Sequence, residues 1–289
     1  MKTLHVDTGR EMHGGQWQVI YLLERLRDAT LLAGAGSGLF QEARKRGLDV
    51  RALSFITMAR LAREYGLVHA HDARAHTLAA AIPGIKLVVS RRVAFPVNRG
   101  MLSRLKYRRA DLFLAVSHYV ARELEEAGAD RDKIRVVYDG VPLVDTARGN
   151  AIVALASKGR EIIREAAKSV GFEVRFTADL WTDLATAEIF LYASDMEGLG
   201  SAALAAMSSG VAVIASRVGG LAEAVEHERT GLLVANAPKE FAEAVQRLRR
   251  DPELLRKMGR RGRERVEKRF TADLMTERTR AAYHEVLGC

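Results

Sequence analysis

The chain is short of several residue types, and each shortage excludes something. Cysteine occurs once, at Cys289, so neither a disulfide framework nor a cysteine-rich zinc site can hold the fold together. That usage suits a reducing compartment. Aromatics make up only 6% of the residues, which leaves the core to aliphatic side chains. Five prolines stand against 24 glycines, a balance expected of helices joined by glycine turns. The opening MKTLHVDTGREMHGG has no long apolar stretch of the signal-peptide kind. One uncharged run, Gly198 to Ser216, approaches the length needed to span a bilayer. It contains Gly198, Gly200, Gly210 and four serines, so a buried helix, a glycine turn and a buried strand explain it better.

What is present describes a packed protein. Apolar residues at 48% and charged residues at 28% exclude a disordered chain, and 289 residues suggest two domains. The net charge of +9 is unevenly placed: residues 1–140 hold 23 Lys/Arg and 15 Asp/Glu (+8), residues 141–289 hold 22 and 21 (+1). Arg91, Arg92, Arg99, Arg104, Lys106, Arg108 and Arg109 form a run with no acidic residue between 91 and 109. Such a run is either a solvated helix face or a surface for an anionic partner. Its only aromatics are Phe95 and Tyr107, too few for a nucleic-acid platform.

Hydrophobic spacing predicts strands and helices in alternation. Strands are expected at 2–8, 30–35, 50–55, 67–71, 85–90, 111–117 and 134–139, with helices between them. DGVPLVDTARGN (139–150) has no periodicity and reads as a domain junction. The pattern restarts with strands at 151–157, 172–178, 188–194, 211–216 and 230–234, and the tail from Lys239 is helical. Such alternation gives parallel sheets covered on both faces, with ligands at the carboxyl ends of the strands.

The loops after strands therefore hold the candidates. Gly14 and Gly15 follow the first strand and would let backbone N–H groups approach a phosphate, or simply make a tight turn. Gly34, Gly36 and Gly38 lack the spacing of a dinucleotide loop and read as a turn. His69, His71, Asp72 and His76 cluster at the fourth strand. His69 and His71 share a strand face, but no third ligand is evident and no metal site is expected. His71 and Asp72 are better suited to hydrogen-bond a substrate. The richest stretch is SDMEGLGSAALAAMSSGVAVIASRVGGLAEAVEHERTGLLV (194–234). Here Glu197 offers a carboxylate to sugar hydroxyls, and Gly198 and Gly200 open a helix whose amides suit a diphosphate. A second pair, Gly219–Gly220, opens the next helix.

This stretch resembles the donor-binding region of the retaining nucleotide-sugar glycosyltransferases of family 4. It shows their EG-x-G loop, helix ending in AM, small-residue turn, VIAS strand, glycine pair and GLLV strand in order. The first half adds VHAHDARAH, the DLFLAVS strand and the RVVYDGV junction. The resemblance implies an α/β fold of the GT-B type: two Rossmann-like doubly wound domains facing across a cleft, the second shortened. Residues 1–143 would form the acceptor domain, 144–270 the nucleotide-sugar donor domain, and 271–289 a helix packing back toward the first.

It also implies transfer of a sugar from a nucleoside diphosphate donor to a hydroxyl acceptor, in lipopolysaccharide, glycolipid or other cell-envelope polysaccharide synthesis. The donor-binding residues would be Gly14, Gly15, Lys158, Arg160, Glu197, Gly198, Leu199, Gly200 and Ser201, and the catalytic ones His71, Asp72 and Arg92. No cofactor beyond the nucleotide sugar as co-substrate, no metal and no nucleic acid are expected. An anionic or lipid-linked acceptor and a peripheral contact with the inner membrane are expected, from the cytoplasmic side. Three departures stand out. Ala205 occupies the position of the family's second glutamate, which holds the nucleotide ribose. The first strand–helix unit of the second domain, with its arginine and lysine, is missing, leaving Lys158 and Arg160 as substitutes. Arg92 stands where many members have a histidine, and it would neutralise a phosphate rather than act as a base. These losses keep open an alternative, a non-catalytic GT-B-like binding or partner subunit.

Overall fold

The computed structural model describes residues 2–93, 100–147 and 149–288. Phe95, Arg99 and Cys289 fall outside these residues, as does the side chain of Arg104. The first seven strands are β1 (Thr3–Val6), β2 (Ala29–Ala33), β3 (Val50–Ala52), β4 (Leu67–Ala70), β5 (Lys86–Arg91), β6 (Leu112–Ala115) and β7 (Ile134–Val136). Between them run α1 (Gly14–Leu23), α2 (Gly38–Lys45), α3 (Phe55–Tyr65), α4 (Ala73–Ala80), α5 (Met101–Arg109) and α6 (His118–Glu126). Then follow β8 (Ala151–Leu155), α7 (Arg160–Val170), β9 (Arg175–Thr177), α8 (Leu180–Leu184) and β10 (Ala187–Tyr192). Next come α9 (Ser201–Ser208), β11 (Ala212–Ser216), α10 (Leu221–Ala224) and β12 (Gly231–Val234). The chain closes with α11 (Pro238–Arg250), α12 (Pro252–Arg269) and α13 (Ala272–Leu287).

Contacts divide the chain into two units: residues through Asp139 together with those from Ala272 on, and Gly140–Thr271. The first holds a seven-stranded sheet ordered β3-β2-β1-β4-β5-β6-β7, parallel throughout. All four residues of β1, β4 and β6 are buried, which is why these segments read as continuous runs rather than alternating ones. Helix starts are fixed by side chains: Ser37, Ser54, Asp72 and Ser117 accept from backbone N–H groups at the starts of α2, α3, α4 and α6. The last helix belongs to this unit, where Ala272, Met275, Ala282 and Tyr283 join the core around α1.

The second unit carries five parallel strands ordered β12-β11-β10-β8-β9. Strand order therefore reverses between β8 and β10 here, and between β1 and β4 in the first unit. Several strands are shorter than their hydrophobic runs. The 111–117 run stops at Ala115 because Ser117 turns to cap α6, its Oγ accepting from Val120 at 3.1 Å. The one-turn helix α8 was not expected; Asp179 starts it, its Oδ2 accepting from the Thr182 hydroxyl at 2.7 Å.

Candidate functional site

In open α/β sheets ligands sit where the strand order reverses, beyond the carboxyl ends. In the second unit that place is the loop after β8, with Lys158 and Gly159, and the loop after β10, with Glu197 to Gly200. The Lys158 ammonium forms an ion pair with Glu197 Oε1. The same oxygen accepts from the Tyr192 hydroxyl at 2.8 Å and from Ser194 Oγ at 3.3 Å. The Glu197 side chain is 10% exposed and that of Lys158 is 43% exposed, so the pair opens to solvent on the lysine side. Burial, with the neighbouring carboxylate, pushes the Tyr192 phenol well above its ordinary value, which keeps it a neutral donor.

Backbone geometry explains how the two loops meet. Gly159 has φ +57°, and a Cβ there would run into Ala193, the residue just after β10. Gly200 has φ +95°, and a Cβ would meet Leu221 Cδ2 at 2.5 Å. The second glycine pair is a buttress: a Cβ on Gly219 or Gly220 would strike the carbonyl oxygen of Glu197 or Gly198, and Gly220 N donates to Glu197 O at 2.9 Å. Ser194 N donates to Ser216 Oγ at 3.0 Å, Ser216 donates to Asn236 Oδ1 at 2.6 Å, and Asn236 Nδ2 donates to Asp195 Oδ1 at 2.7 Å. That network fixes the start of the Glu197 loop.

The helices α7 and α9 follow Gly159 and Gly200, which give them no side-chain cap, unlike most helices of the first unit. Their first N–H groups have no intrahelical acceptor and carry the positive end of the helix dipole. Leu199 is buried, Ser201 is the first residue of α9, and Arg160 is exposed with its guanidinium 5.1 Å from the Phe176 ring centroid. Ala205 is buried within α9.

In the first unit the reversal lies between β1 and β4. Asp72 uses both carboxylate oxygens: Oδ1 accepts from Thr8 Oγ1 at 2.8 Å, Arg74 N at 2.8 Å and Ala75 N at 2.9 Å, and Oδ2 accepts from Thr8 N at 2.5 Å. It thus caps α4 and ties the β1 loop to β4. Asp7 directly follows β1 and accepts from Gly9 N at 2.8 Å and Gln16 Nε2 at 3.2 Å, anchoring the start of α1 that holds Gly14 and Gly15. Arg92 runs beside that start, its Cδ 3.8 Å from where a Gly15 Cβ would lie. Its Nε donates to Asp139 Oδ1 at 3.0 Å and its Nη1 approaches His71 Nδ1 at 3.2 Å.

The strand register supplies the third histidine that the sequence did not reveal. His5 is level with His69 across the β1–β4 pair, and one ring nitrogen each of His5, His69 and His71 lies within 4.8 Å of the others. These nitrogens already serve a chain of hydrogen bonds. Arg92 can only donate, so His71 Nδ1 accepts and its proton sits on Nε2. His71 Nε2 then donates to His5 Nδ1 at 2.9 Å, and His5 Nε2 donates to Thr3 Oγ1 at 3.1 Å. His69 bridges the Tyr283 hydroxyl at 2.6 Å and Ser90 Oγ at 2.8 Å. Burial first, then the Arg92 charge, lowers His5 to about 3; His69 and His71 are also held well below their ordinary value, mainly by burial. The cluster is thus a neutral wire beside a guanidinium, a poor setting for a further cation.

The sequence reading missed Tyr192, His5, Tyr283 and the Ser194–Ser216–Asn236 network. Two signals were available: a tyrosine closing an aliphatic strand just before the loop, and a histidine one residue before the end of β1, as His69 is of β4.

Two family models match overlapping halves of the chain. The model described as Glycosyltransferase Family 4 matches residues 13–145, and that described as Glycosyl transferases group 1 matches residues 119–251. The chain is similar to N-acetyl-alpha-D-glucosaminyl L-malate synthase of Bacillus anthracis, 37% identical over 106 residues, 36% of this chain and 28% of that protein. It is similar to alpha-maltose-1-phosphate synthase of Mycolicibacterium smegmatis, 41% identical over 110 residues, 36% of this chain and 28% of that protein. The match thus spans well under a third of either relative. Anabaena Alr3699/HepE, solved in complex with UDP and glucose, shares the fold with a TM-score of 0.87 at 18% identity, over 99% of this chain and 100% of that one. Two parallel-sheet units of the GT-B type, matched by these two models across residues 13–251, establish that the chain belongs to the family 4 and group 1 glycosyltransferases.

Proposed function

We propose that this chain moves a sugar from a nucleoside diphosphate donor to a hydroxyl acceptor, with retention at the reacting carbon. The observation that carries the reading is the Lys158–Glu197 pair at the strand-order reversal of the second unit, set between two uncapped helix starts. A diphosphate at those starts meets backbone N–H donors and the dipole of α9. It also competes with Glu197 for the Lys158 ammonium. As the lysine turns to the phosphates, Glu197 is left to accept from sugar hydroxyls, still held by Tyr192. Gly198 and Ser201 belong to the same cradle, Leu199 anchors it, and Arg160 adds positive charge at the start of α7. Leaving-group charge is offset by fixed amides and cations, an electrostatic route that needs no side-chain base.

In the first unit, Gly14 and Gly15 keep the start of α1 open, and Arg92 supplies the cation beside it. His71 and Asp72 serve by holding Arg92 and the Thr8 loop. The neighbour solved with UDP and glucose supports a uridine donor as the first to try. The basic residues of 91–109 suit an anionic or lipid-linked acceptor of cell-envelope synthesis met at the cytoplasmic membrane face. Among the described residues, no helix is long and apolar enough to cross a membrane.

The test is a panel of UDP-, GDP- and ADP-sugars, measured for binding and slow hydrolysis. Turnover with one donor, abolished by Glu197→Ala, is expected. One observation favours a second reading, a non-catalytic binding subunit: the position the resemblance assigns to a ribose-holding glutamate is a buried alanine, Ala205. A folded wild-type protein that binds none of the donors would establish that reading instead.

A further inference from the structure

The near-neutral charge of the second half conceals a basic cavity. It has a volume of about 630 Å³ and lies wholly within the second unit. It is lined at the amino ends of the strands, where Ala187 begins β10 and Gly210 precedes β11, so it opens on the sheet edge opposite the Glu197 loop. Four arginines reach it: Arg249, Arg256, Arg260 and Arg263.

Their placement follows from the helix. Residues 252, 255, 256, 260 and 263 of α12 recur at helical spacing and line the cavity together. Gly259 sets the helix against the turn before β11, since a Cβ there would strike the carbonyl of Gly210. That close approach aims the arginine stripe along the cavity wall.

Arginines with a structural role in this unit have partners. Arg263 donates to Ser208 O at 2.5 Å and pairs with Glu267 at 3.1 Å, Arg265 pairs with Glu226, and Arg247 chelates Glu228. Arg256 and Arg260 make no hydrogen bond or ion pair among the described residues. Among the described residues Arg249 has only the field of Glu188, which also lines the cavity and whose carboxyl is raised above its ordinary value by burial, against the pull of Arg249. Leu248 and Leu255 give the cavity apolar walls beneath the guanidiniums.

We propose that this cavity is a second anion site, binding the phosphate group of an ester that also carries an apolar moiety. Arg256 and Arg260 grip the phosphate, since planar guanidiniums match its oxygens bidentately. Arg249 adds charge, and the leucines meet the apolar part. A soluble phosphate ester and the headgroup of an anionic phospholipid share that chemistry. The site is independent of the reading given to the Glu197 loop.

Two probes separate these sources: inorganic pyrophosphate by calorimetric titration, and phosphatidylglycerol-containing vesicles by flotation. Both are applied to the full chain in a Lys158→Met/Glu197→Gln background, which takes away the Lys158 cation at the opposite edge, so that the change produced by further substitution reports on this cavity alone. Addition of Arg256→Gln and Arg260→Gln should weaken one or both interactions at least about tenfold. A loss confined to pyrophosphate identifies a soluble ligand, and a loss confined to vesicles identifies a headgroup. Arg256→Lys/Arg260→Lys should restore part of the binding, because charge returns without the planar fork. Both side chains are exposed, so the melting temperature should not move. Binding of both probes unchanged by the double glutamine variant, or no binding of either probe before it is made, overturns the proposal.

Discussion

The Tyr192 hydroxyl donates to Glu197 Oε1 at 2.8 Å, joining the last residue of β10 to the carboxylate five residues on. Removing it in Tyr192→Phe leaves the ring and its packing but frees the carboxylate to swing. A hydrogen bond to a charged acceptor contributes about 1.5–3 kcal/mol. The KM for the sugar donor should rise about tenfold or more with little change in melting temperature. An unaltered KM in steady-state kinetics would show that Tyr192 does not position Glu197.

Gly220 is needed for space rather than for its torsion angles. Its φ of −72° suits any residue, yet an alanine Cβ would sit against the Gly198 carbonyl and 2.9 Å from Leu199 Cα. Gly220→Ala should therefore displace the Glu197 loop, costing about 1–3 kcal/mol and most donor binding. Gly36, where a Cβ meets nothing within 4 Å, provides the control. Gly36→Ala should leave both chemical denaturation and donor titration unchanged.

Acid should weaken the first unit before carboxylate chemistry begins. His5 is lowered to about 3 and His76 to about 4, both chiefly by burial, from an ordinary value of 6.5. As pH falls through 6.5 the unfolded chain gains these protons and the folded chain does not. Stability is thus full above that value and declines toward pH 4, by up to ~1.4 kcal/mol per pH unit for each histidine. Asp7 and Asp139 act oppositely. Burial raises both above the ordinary 3.8, so the stability they give at low pH is lost as pH rises through their folded values, which offsets part of the acid effect. Urea midpoints at about pH 7.5 and about pH 5 should differ clearly, and by less in His5→Gln; equal midpoints would contradict the neutral wire.

Asp72 joins two segments through four bonds. Asp72→Ala removes the cap of α4 and the Thr8 contacts together, and should destabilise by about 2 kcal/mol or more. Asp72→Asn keeps one carbonyl oxygen for the cap and should recover about half of that. Thermal unfolding of the two variants checks the order.

Much of this architecture was legible because periodicity and caps are local. Aliphatic runs such as LVHAH and AIVALAS mark buried parallel strands, and the EGLG loop marks the place where β10 gives way to a helix. What the sequence hid depends on pairing between distant segments. His5 meets His71 only because β1 lies beside β4, a fact of strand order. Gly219–Gly220 looks like a second helix opening, yet its backbone supports the Glu197 loop. The charge of α12 was averaged away with acidic neighbours; only the fold shows that Arg256, Arg260 and Arg263 line one cavity while Arg265 turns to Glu226.

The participation of α13 in the first core has a consequence for biosynthesis. The second unit is an insertion, entered after Asp139 and left before Ala272, so a ribosome releases all of it before the first unit is complete. Until Tyr283 emerges, His69 lacks its hydroxyl partner and the face around α1 stays uncovered. The nascent chain must therefore shelter an unfinished first half while the middle folds, and trimming the final helix would injure the earliest residues made.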